Sequence, residues 1–206
     1  DLTPVFFGSA LTNFGVETFL EHFLKMTTPP LPRKTESGEV NPMKDPFFSA
    51  FVFKIQANMN KAHRDRIAFL RISSGRFERG MKLKVVRSGK EFRTQNVMSF
   101  LSQRRELVED AWPGDIIGLP NHGVLQLGDT LTEGETLQFT GLPFFAPELF
   151  QIVELADPMK SKQLRTGLTQ LGEEGAIQVF RPQLGGSLLL GAIGQLQFEV
   201  VAHRLR

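Results

Sequence analysis

The chain has 206 residues, of which 41% are hydrophobic and 22% are charged, a composition typical of a soluble globular protein with its own core. It contains no cysteine, which excludes disulfides, thiol nucleophiles and metal sites built on thiolates. No apolar run approaches the roughly 18 residues that a membrane-spanning helix needs, so none is predicted.

Charge is distributed unevenly along the chain. Residues 60–105 carry 13 Lys and Arg against 3 acidic residues, whereas the remainder carries 11 against 19. The net charge of +2 therefore combines +10 in this basic segment with −8 elsewhere. Such a segment predicts an anionic partner, most often a nucleic-acid backbone, and a solvated charged face is the alternative.

The first predicted elements are a short apolar strand at residues 5–7 and a helix that follows it. The helix is predicted because apolar residues recur at helical spacing, at Val16, Phe19, Leu20, Phe23 and Leu24. One strand and one helix cannot bury each other's apolar faces. We therefore interpret residues 1–28 as the last strand and helix of a larger α/β domain, and the Pro-rich residues 29–46 as a linker.

From residue 47 the pattern changes to short strands separated by turns. The predicted strands span residues 51–55, 67–72, 81–86, 96–100 and 115–119, and a turn at 127–131 precedes the last one. Turns at this spacing favour a closed antiparallel β-barrel, which we place at residues 47–141.

The remaining residues, 142–206, predict a mixed α+β domain. The predicted order is β-α-β-β-α. It consists of a strand at 149–155, a helix at 158–172 with Asp157 as its N-cap, strands at 176–180 and 187–193, and a second helix near Gln195. This order predicts a split βαβ, ferredoxin-like domain that is truncated before its last strand. The fold class is thus mainly β with α+β.

No catalytic or metal site is predicted. Gly75–Gly80 has the spacing of a phosphate loop, but Met81 and Lys82 follow where that loop needs Lys and then Ser or Thr. The sequence Asn60–His63 begins like the guanine-reading NKxD motif and lacks its acidic residue. The four histidines are scattered without the spacing of metal ligands.

Several longer motifs resemble the translational GTPases. Residues 6–11, FFGSAL, resemble the last guanine-binding motif of that superfamily, and residues 51–86 resemble its second-domain barrel. Within the superfamily, IQANMNKAHRDR, NHGVLQLGDTL, FAPELF and LGEEGAIQVFRP resemble the bacterial peptide chain release factor 3 family. GQLQFEVV is similar to a third-domain helix shared with elongation factor G.

The resemblance implies an internal fragment that holds the end of a G domain, the second-domain barrel and the start of a third domain. The family's guanine motif maps onto Gly8, Ser9 and Ala10. The P-loop, the switches and the NKxD motif would precede Asp1, so we expect the fragment itself to bind no cofactor and to catalyse nothing. The longer parent would bind GTP or GDP with Mg²⁺ and hydrolyse GTP.

The implied function is GTP-dependent dissociation of class-I release factors from the ribosome in translation termination, in the bacterial cytoplasm, without membrane or DNA. In the family the second domain faces the small ribosomal subunit. Ribosomal RNA is therefore the expected partner of a cationic loop predicted between two strands, with Lys61, His63, Arg64 and Arg66. The alternatives are an elongation factor G-like translocase fragment and a free-standing RNA-binding barrel.

Overall fold

A computed structural model describes residues 2–57, 66–101, 104–142, 145–155, 157–183 and 186–205. The chain divides between Leu31 and Pro32 into two compact units.

The first unit consists of a tight turn and one helix. Helix α1 spans Val16–Met26, which confirms the predicted helix, and all eleven of its residues stay at least partly exposed within the described chain. The predicted strand at residues 5–7 is wrong: the one β-bridge of the described unit joins Ser9 to Phe14. A strand needs a partner for its N–H and C=O groups, and the apolar run at 5–7 finds none here.

The second unit begins with a two-stranded hairpin and continues into a large sheet. Its first twelve strands are β1 (Arg33–Thr35), β2 (Gly38–Val40), β3 (Ser49–Ala57), β4 (Arg66–Ser74), β5 (Phe77–Glu78), β6 (Lys82–Val85), β7 (Glu91–Arg93), β8 (Met98–Leu101), β9 (Arg104–Leu107), β10 (Asp110–Ala111), β11 (Ile116–Pro120) and β12 (Thr130–Thr132). Eight of them form one antiparallel sheet in the order β7-β6-β12-β3-β4-β11-β8-β9. The five predicted strands are confirmed, whereas the last strand, β12, begins at Thr130, within the residues predicted as a turn.

The predicted closed barrel is not what the structure shows. The sheet begins at β7 and ends at β9, and within the described residues no ladder joins these two edges. It is a curled half-barrel. The alternation of apolar and polar residues is the same in a curled open sheet and in a closed barrel, so the sequence pattern could not distinguish them.

One core fills the concave side of this sheet. Val52, Leu70, Leu83 and Leu131 come from four of its strands and are fully buried. Phe77 joins the same core from β5, which pairs only with β10 among the described strands. This two-stranded ribbon therefore contributes side chains to a core that the open sheet does not complete alone.

The segment predicted as a linker contains the β1–β2 hairpin, which is attached to the strand-like residues 138–140. Thr35 bridges Phe139, and the Glu36 N–H donates to the Gln138 carbonyl oxygen at 3.0 Å. The Arg33 guanidinium lies 5.1 Å from the centre of the Phe51 ring.

A second module follows with a core of its own. It comprises β13 (Leu149–Val153), a 3₁₀ turn (Pro158–Lys160), α2 (Ser161–Glu173), β14 (Gln178–Phe180), β15 (Leu188–Ala192) and α3 (Gln195–Leu205). The strand order is β13-β15-β14, and Leu168, Ile177 and Phe198 are buried between the sheet and the helices. Asp157 caps the helical segment as predicted, since its Oδ1 accepts from the Met159 N–H at 2.9 Å.

Gly75, at the turn after β4, should be irreplaceable. Its φ is +67°, and a Cβ at this position would lie 2.5–2.7 Å from backbone atoms of Phe47 and Phe48. We expect Gly75→Ala to lower the free energy of unfolding by about 3 kcal/mol or more, from left-handed strain plus overpacking.

Gly89 provides the matched control. Its φ is +68°, and no described atom lies within 4 Å of the Cβ that alanine would add. Gly89→Ala should therefore cost only the strain, about 1–2 kcal/mol. Urea unfolding of both variants measures the two losses of unfolding free energy. Equal losses would contradict the prediction, because they would show that the backbone moves enough to remove the clash with the Cβ at position 75.

Candidate nucleic-acid interface

The predicted RNA-contacting loop is described only at its end. Lys61, His63 and Arg64 lie outside the described residues. Arg66 is the first residue of β4, and its backbone pairs with Ala57 at the end of β3. The two ends of the loop are thus held together by the β3–β4 ladder.

Arg66 is not a free cation in the structure. Its guanidinium forms an ion pair with Glu173 at the end of α2, and the two side chains are 22% and 40% exposed. The Arg66 carbonyl oxygen also accepts from the Asn121 N–H at 2.8 Å. Arg66 therefore connects the half-barrel to the following module, a role that the sequence did not indicate.

Much of the remaining basic segment is neutralised by carboxylates. Arg87 donates from Nε and Nη2 to Asp129 at 2.6 and 3.0 Å, and the Asp129 side chain is only 2% exposed. This hydrogen bonding to the Asp129 carboxylate raises the pKa of Arg87. The other pairs are Arg76 with Glu78 and Asp110, Arg79 with Glu109, and Lys82 with Glu91.

Two cations of this segment remain available at one end of the half-barrel. Lys90 precedes strand β7 and Arg93 is its last residue; both are exposed and make no ion pair within the described chain. They border a cavity of about 280 Å³ between the β7 region and the loop after β11. We call it the Asn121 cavity; its rim includes Lys90, Arg93, Gln95, Asn96 and His122, and its floor includes Phe92, Leu119, Val124 and Leu125.

One buried side chain holds the loop beside this cavity. The Asn121 Oδ1 accepts from the N–H groups of Gly123, Val124 and Leu125 at 3.0–3.1 Å. Its Nδ2 donates to the Leu125 carbonyl oxygen at 2.8 Å. Asn commonly organises turns in this way, so the Asn-His-Gly sequence was a usable signal, but nothing linked it to residues 90–96.

The residues of the predicted guanine motif lie together at the turn before α1. The Ser9 N–H donates to the Phe14 carbonyl oxygen at 2.9 Å, and Ala10 is exposed. Gly8, Ser9 and Ala10 line an open cleft of about 470 Å³ with mostly apolar neighbours. Among the described residues that line it there is no charged side chain.

Metal and membrane sites find no support in the described chain. No three His, Asp or Glu residues there come together in a way that could hold a metal ion. None of the described helices is both long and apolar enough to cross a membrane.

Comparison with known proteins decides the family. Peptide chain release factor 3 from Bordetella pertussis is 69% identical over 99% of this chain, and that from Nitrosomonas eutropha is 70% identical over 99%. The chain belongs to the peptide chain release factor 3 family. It spans 38% of the length of these relatives.

Two family models and a solved structure agree with this placement. The model described as Elongation factor G domain 2 matches residues 47–134, and that described as Class II release factor RF3, C-terminal domain, matches residues 139–206. A crystal structure of a protein from Thermus thermophilus is 26% identical, with a TM-score of 0.72, over 93% of this chain and 27% of that one. The half-barrel is thus similar to the domain described as Elongation factor G domain 2.

The Asn121 side chain should be a major determinant of stability in this release factor 3 segment. Asn121→Ala removes four hydrogen bonds at a buried position, so we expect the free energy of unfolding to fall by about 2–3 kcal/mol. Asn96→Ala, at an exposed position on the rim of the same cavity, should change it by less than about 0.5 kcal/mol. Chemical denaturation of both variants tests this, and a loss below about 1 kcal/mol for Asn121→Ala would contradict it.

Proposed function

We propose that this chain is part of a cytoplasmic translational GTPase that dissociates class-I release factors from the ribosome after the peptide has been released. The observation that carries the proposal is the identity of about 69% along 99% of the chain to proteins named peptide chain release factor 3. The protein would act by binding the ribosome and changing its own domain arrangement when GTP replaces GDP.

The chain would contribute parts of three domains to the longer protein. Residues 1–28 would be the end of the G domain, in which residues 5–7 would form a strand only against the rest of that domain. Residues 29–46, with the β1–β2 hairpin, would be the linker. Residues 47–141 would form the second domain, and 142–206 would begin a third, split βαβ domain. The family-model matches at 47–134 and 139–206 support the last two boundaries. The strand order β13-β15-β14 suits a split βαβ domain whose first strand remains open to a further partner.

The physical mechanism would be a shift between two arrangements of the domains. A nucleotide can favour one arrangement only if it binds that arrangement more tightly, so GTP and GDP would select different placements of the G domain. The Arg66–Glu173 ion pair supports a third domain that moves with the half-barrel, because the pair connects them directly. The two would then present a nucleotide-dependent surface to the ribosome and its bound factor.

GTP, GDP and Mg²⁺ would be cofactors of the longer protein. Gly8, Ser9 and Ala10 fit a guanine-facing turn, since they lie together and Ala10 is exposed. The cleft they line has no charged residue in its described part, so phosphate and metal contacts would come from elsewhere in the G domain.

We therefore expect the 206-residue chain to bind neither GTP nor GDP. Phosphate and magnesium contacts supply most of the affinity in this class of protein, and a guanine turn alone cannot replace them. Isothermal titration of the chain with GDP and Mg²⁺ should show no saturable heat. Micromolar binding would contradict the proposed division of the nucleotide site.

The function itself is tested with the protein encoded by the complete reading frame. Ribosomes stalled after peptide release, with a labelled class-I release factor bound, are mixed with that protein and GTP. We expect release of the labelled factor with GTP and much slower release with GDP or without the protein. Translocation of a peptidyl-tRNA in place of factor release would instead support an elongation factor G-like activity, the alternative favoured by the match at 47–134.

Lys61, His63, Arg64 and Arg66 would contact ribosomal RNA of the small subunit. Replacing both arginines with alanine should weaken ribosome binding and reduce the log–log salt dependence by roughly one unit per lost phosphate contact. Ribosome binding across a salt series measures both quantities.

The Arg66–Glu173 pair requires a control for this experiment. Glu173→Gln breaks the same ion pair while it leaves the Arg66 charge free for RNA. If the double arginine variant acts through RNA, Glu173→Gln should bind ribosomes at least as well as the unchanged protein. Equal weakening by both would show that the effect comes from the ion pair, and unchanged binding by the arginine variant would show that the loop is only solvated.

A further inference from the structure

The Asn121 cavity combines features that its place in the fold does not require. Its floor is apolar and includes the ring of Phe92, whereas Lys90 and Arg93 stand at its rim. Exposed cations beside an apolar depression are not needed for packing, because packing needs only the floor to be covered. The cavity lies on the half-barrel and shares no residue with the loop at 58–66.

Charge at the cavity has one sign. Its described lining contains two cations and no carboxylate. The nearest acidic residue along the chain, Glu91, is engaged by Lys82, and hydrogen bonding from that lysine lowers the pKa of the Glu91 carboxyl. Neither Lys90 nor Arg93 is neutralised within the described residues, in contrast to five other cations of the basic segment. The free charge therefore favours an anionic ligand.

The rim also offers directional hydrogen-bonding groups. Gln95 and Asn96 are exposed amides that can both donate and accept, as the edge of a nucleobase requires. The loop on the opposite side is fixed by the four hydrogen bonds of Asn121, so the cavity does not have to be ordered when a ligand binds. Its volume of about 280 Å³ is close to the lower end of ligand-binding pockets.

We propose that the Asn121 cavity binds one unpaired nucleotide of an RNA, with the base against the apolar floor and the phosphate at Lys90 and Arg93. Apolar or aromatic surfaces, polar amides and unpaired cations are three features by which proteins recognise single-stranded RNA. The inference rests on the proposed ribosome binding and adds a second, base-recognising contact to that of the loop at 58–66.

The first experiment measures RNA binding by fluorescence anisotropy. The probe is a labelled single-stranded RNA hexanucleotide, titrated with the full chain over a salt series. Lys90→Ala/Arg93→Ala should weaken binding by about tenfold and reduce the salt slope by roughly 0.7 per lost phosphate contact. The matched control, Lys160→Ala/Lys162→Ala, removes two exposed lysines from the other module and should change affinity less than twofold. Equal weakening by both double variants would overturn the proposal, because it would reduce the effect to net charge.

The second experiment separates the base from the phosphate. AMP and ribose 5-phosphate carry the same sugar and phosphate, and only AMP has a base. In a titration followed by NMR, AMP should shift the amide signals of Phe92, Gly123 and Val124, and ribose 5-phosphate at the same concentration should not. Equal shifts from both ligands, or shifts that avoid these residues, would overturn the proposal.

Binding of the same proteins to small ribosomal subunits distinguishes this inference from the proposed function. If the unchanged chain binds subunits but AMP does not shift the cavity residues, the cavity proposal fails and the proposed function stands. If AMP shifts them and the chain does not bind subunits, the cavity recognises nucleotides and the proposed ribosomal role fails.

Discussion

The long ladder between β3 and β4 is the constraint on which the half-barrel depends. Each strand has nine residues, and the register runs from Ser49 opposite Ser74 to Ala57 opposite Arg66. β12 pairs with the outer edge of β3, and β11 with that of β4, so the sheet grows outward from this pair. Because the ladder ends at Ala57 and Arg66, it also fixes both ends of the loop that we expect to contact RNA.

Ion pairs between residues far apart in the sequence change how the uneven distribution of charge along the chain should be interpreted. Arg66, Arg79 and Arg87 belong to the basic segment, yet their carboxylate partners Glu173, Glu109 and Asp129 all lie outside it. The fold thus brings carboxylates from the rest of the chain onto the basic segment, so part of its net charge of +10 is neutralised within the protein. Lys90 and Arg93 are exposed, have no ion pair among the described residues and lie at one cavity, an arrangement that a count along the sequence could not reveal.

Short-range sequence patterns predicted most of the helices and strands. Features that depend on contacts between distant parts of the chain could not be predicted from these patterns. The strands of the half-barrel and the capped helix after Asp157 follow from residues within a few positions of each other. Closure of the sheet depends on whether β7 and β9 meet, and strand formation at residues 5–7 depends on a partner, so neither could be decided locally. The Asn121 cavity could not be predicted from the sequence either, because two separate segments, residues 90–96 and 119–125, form it together.

Hydrogen–deuterium exchange of the chain with and without small ribosomal subunits tests most directly whether the half-barrel is a ribosome-facing surface. Amides in the 58–66 segment and around the Asn121 cavity, at residues 92–96 and 121–125, should exchange more slowly in the complex. Amides of α1 should keep their rate, because the N-terminal unit is not expected to contact the small subunit. Protection confined to α1 or to the module at 149–205, with the half-barrel unchanged, would contradict the assignment.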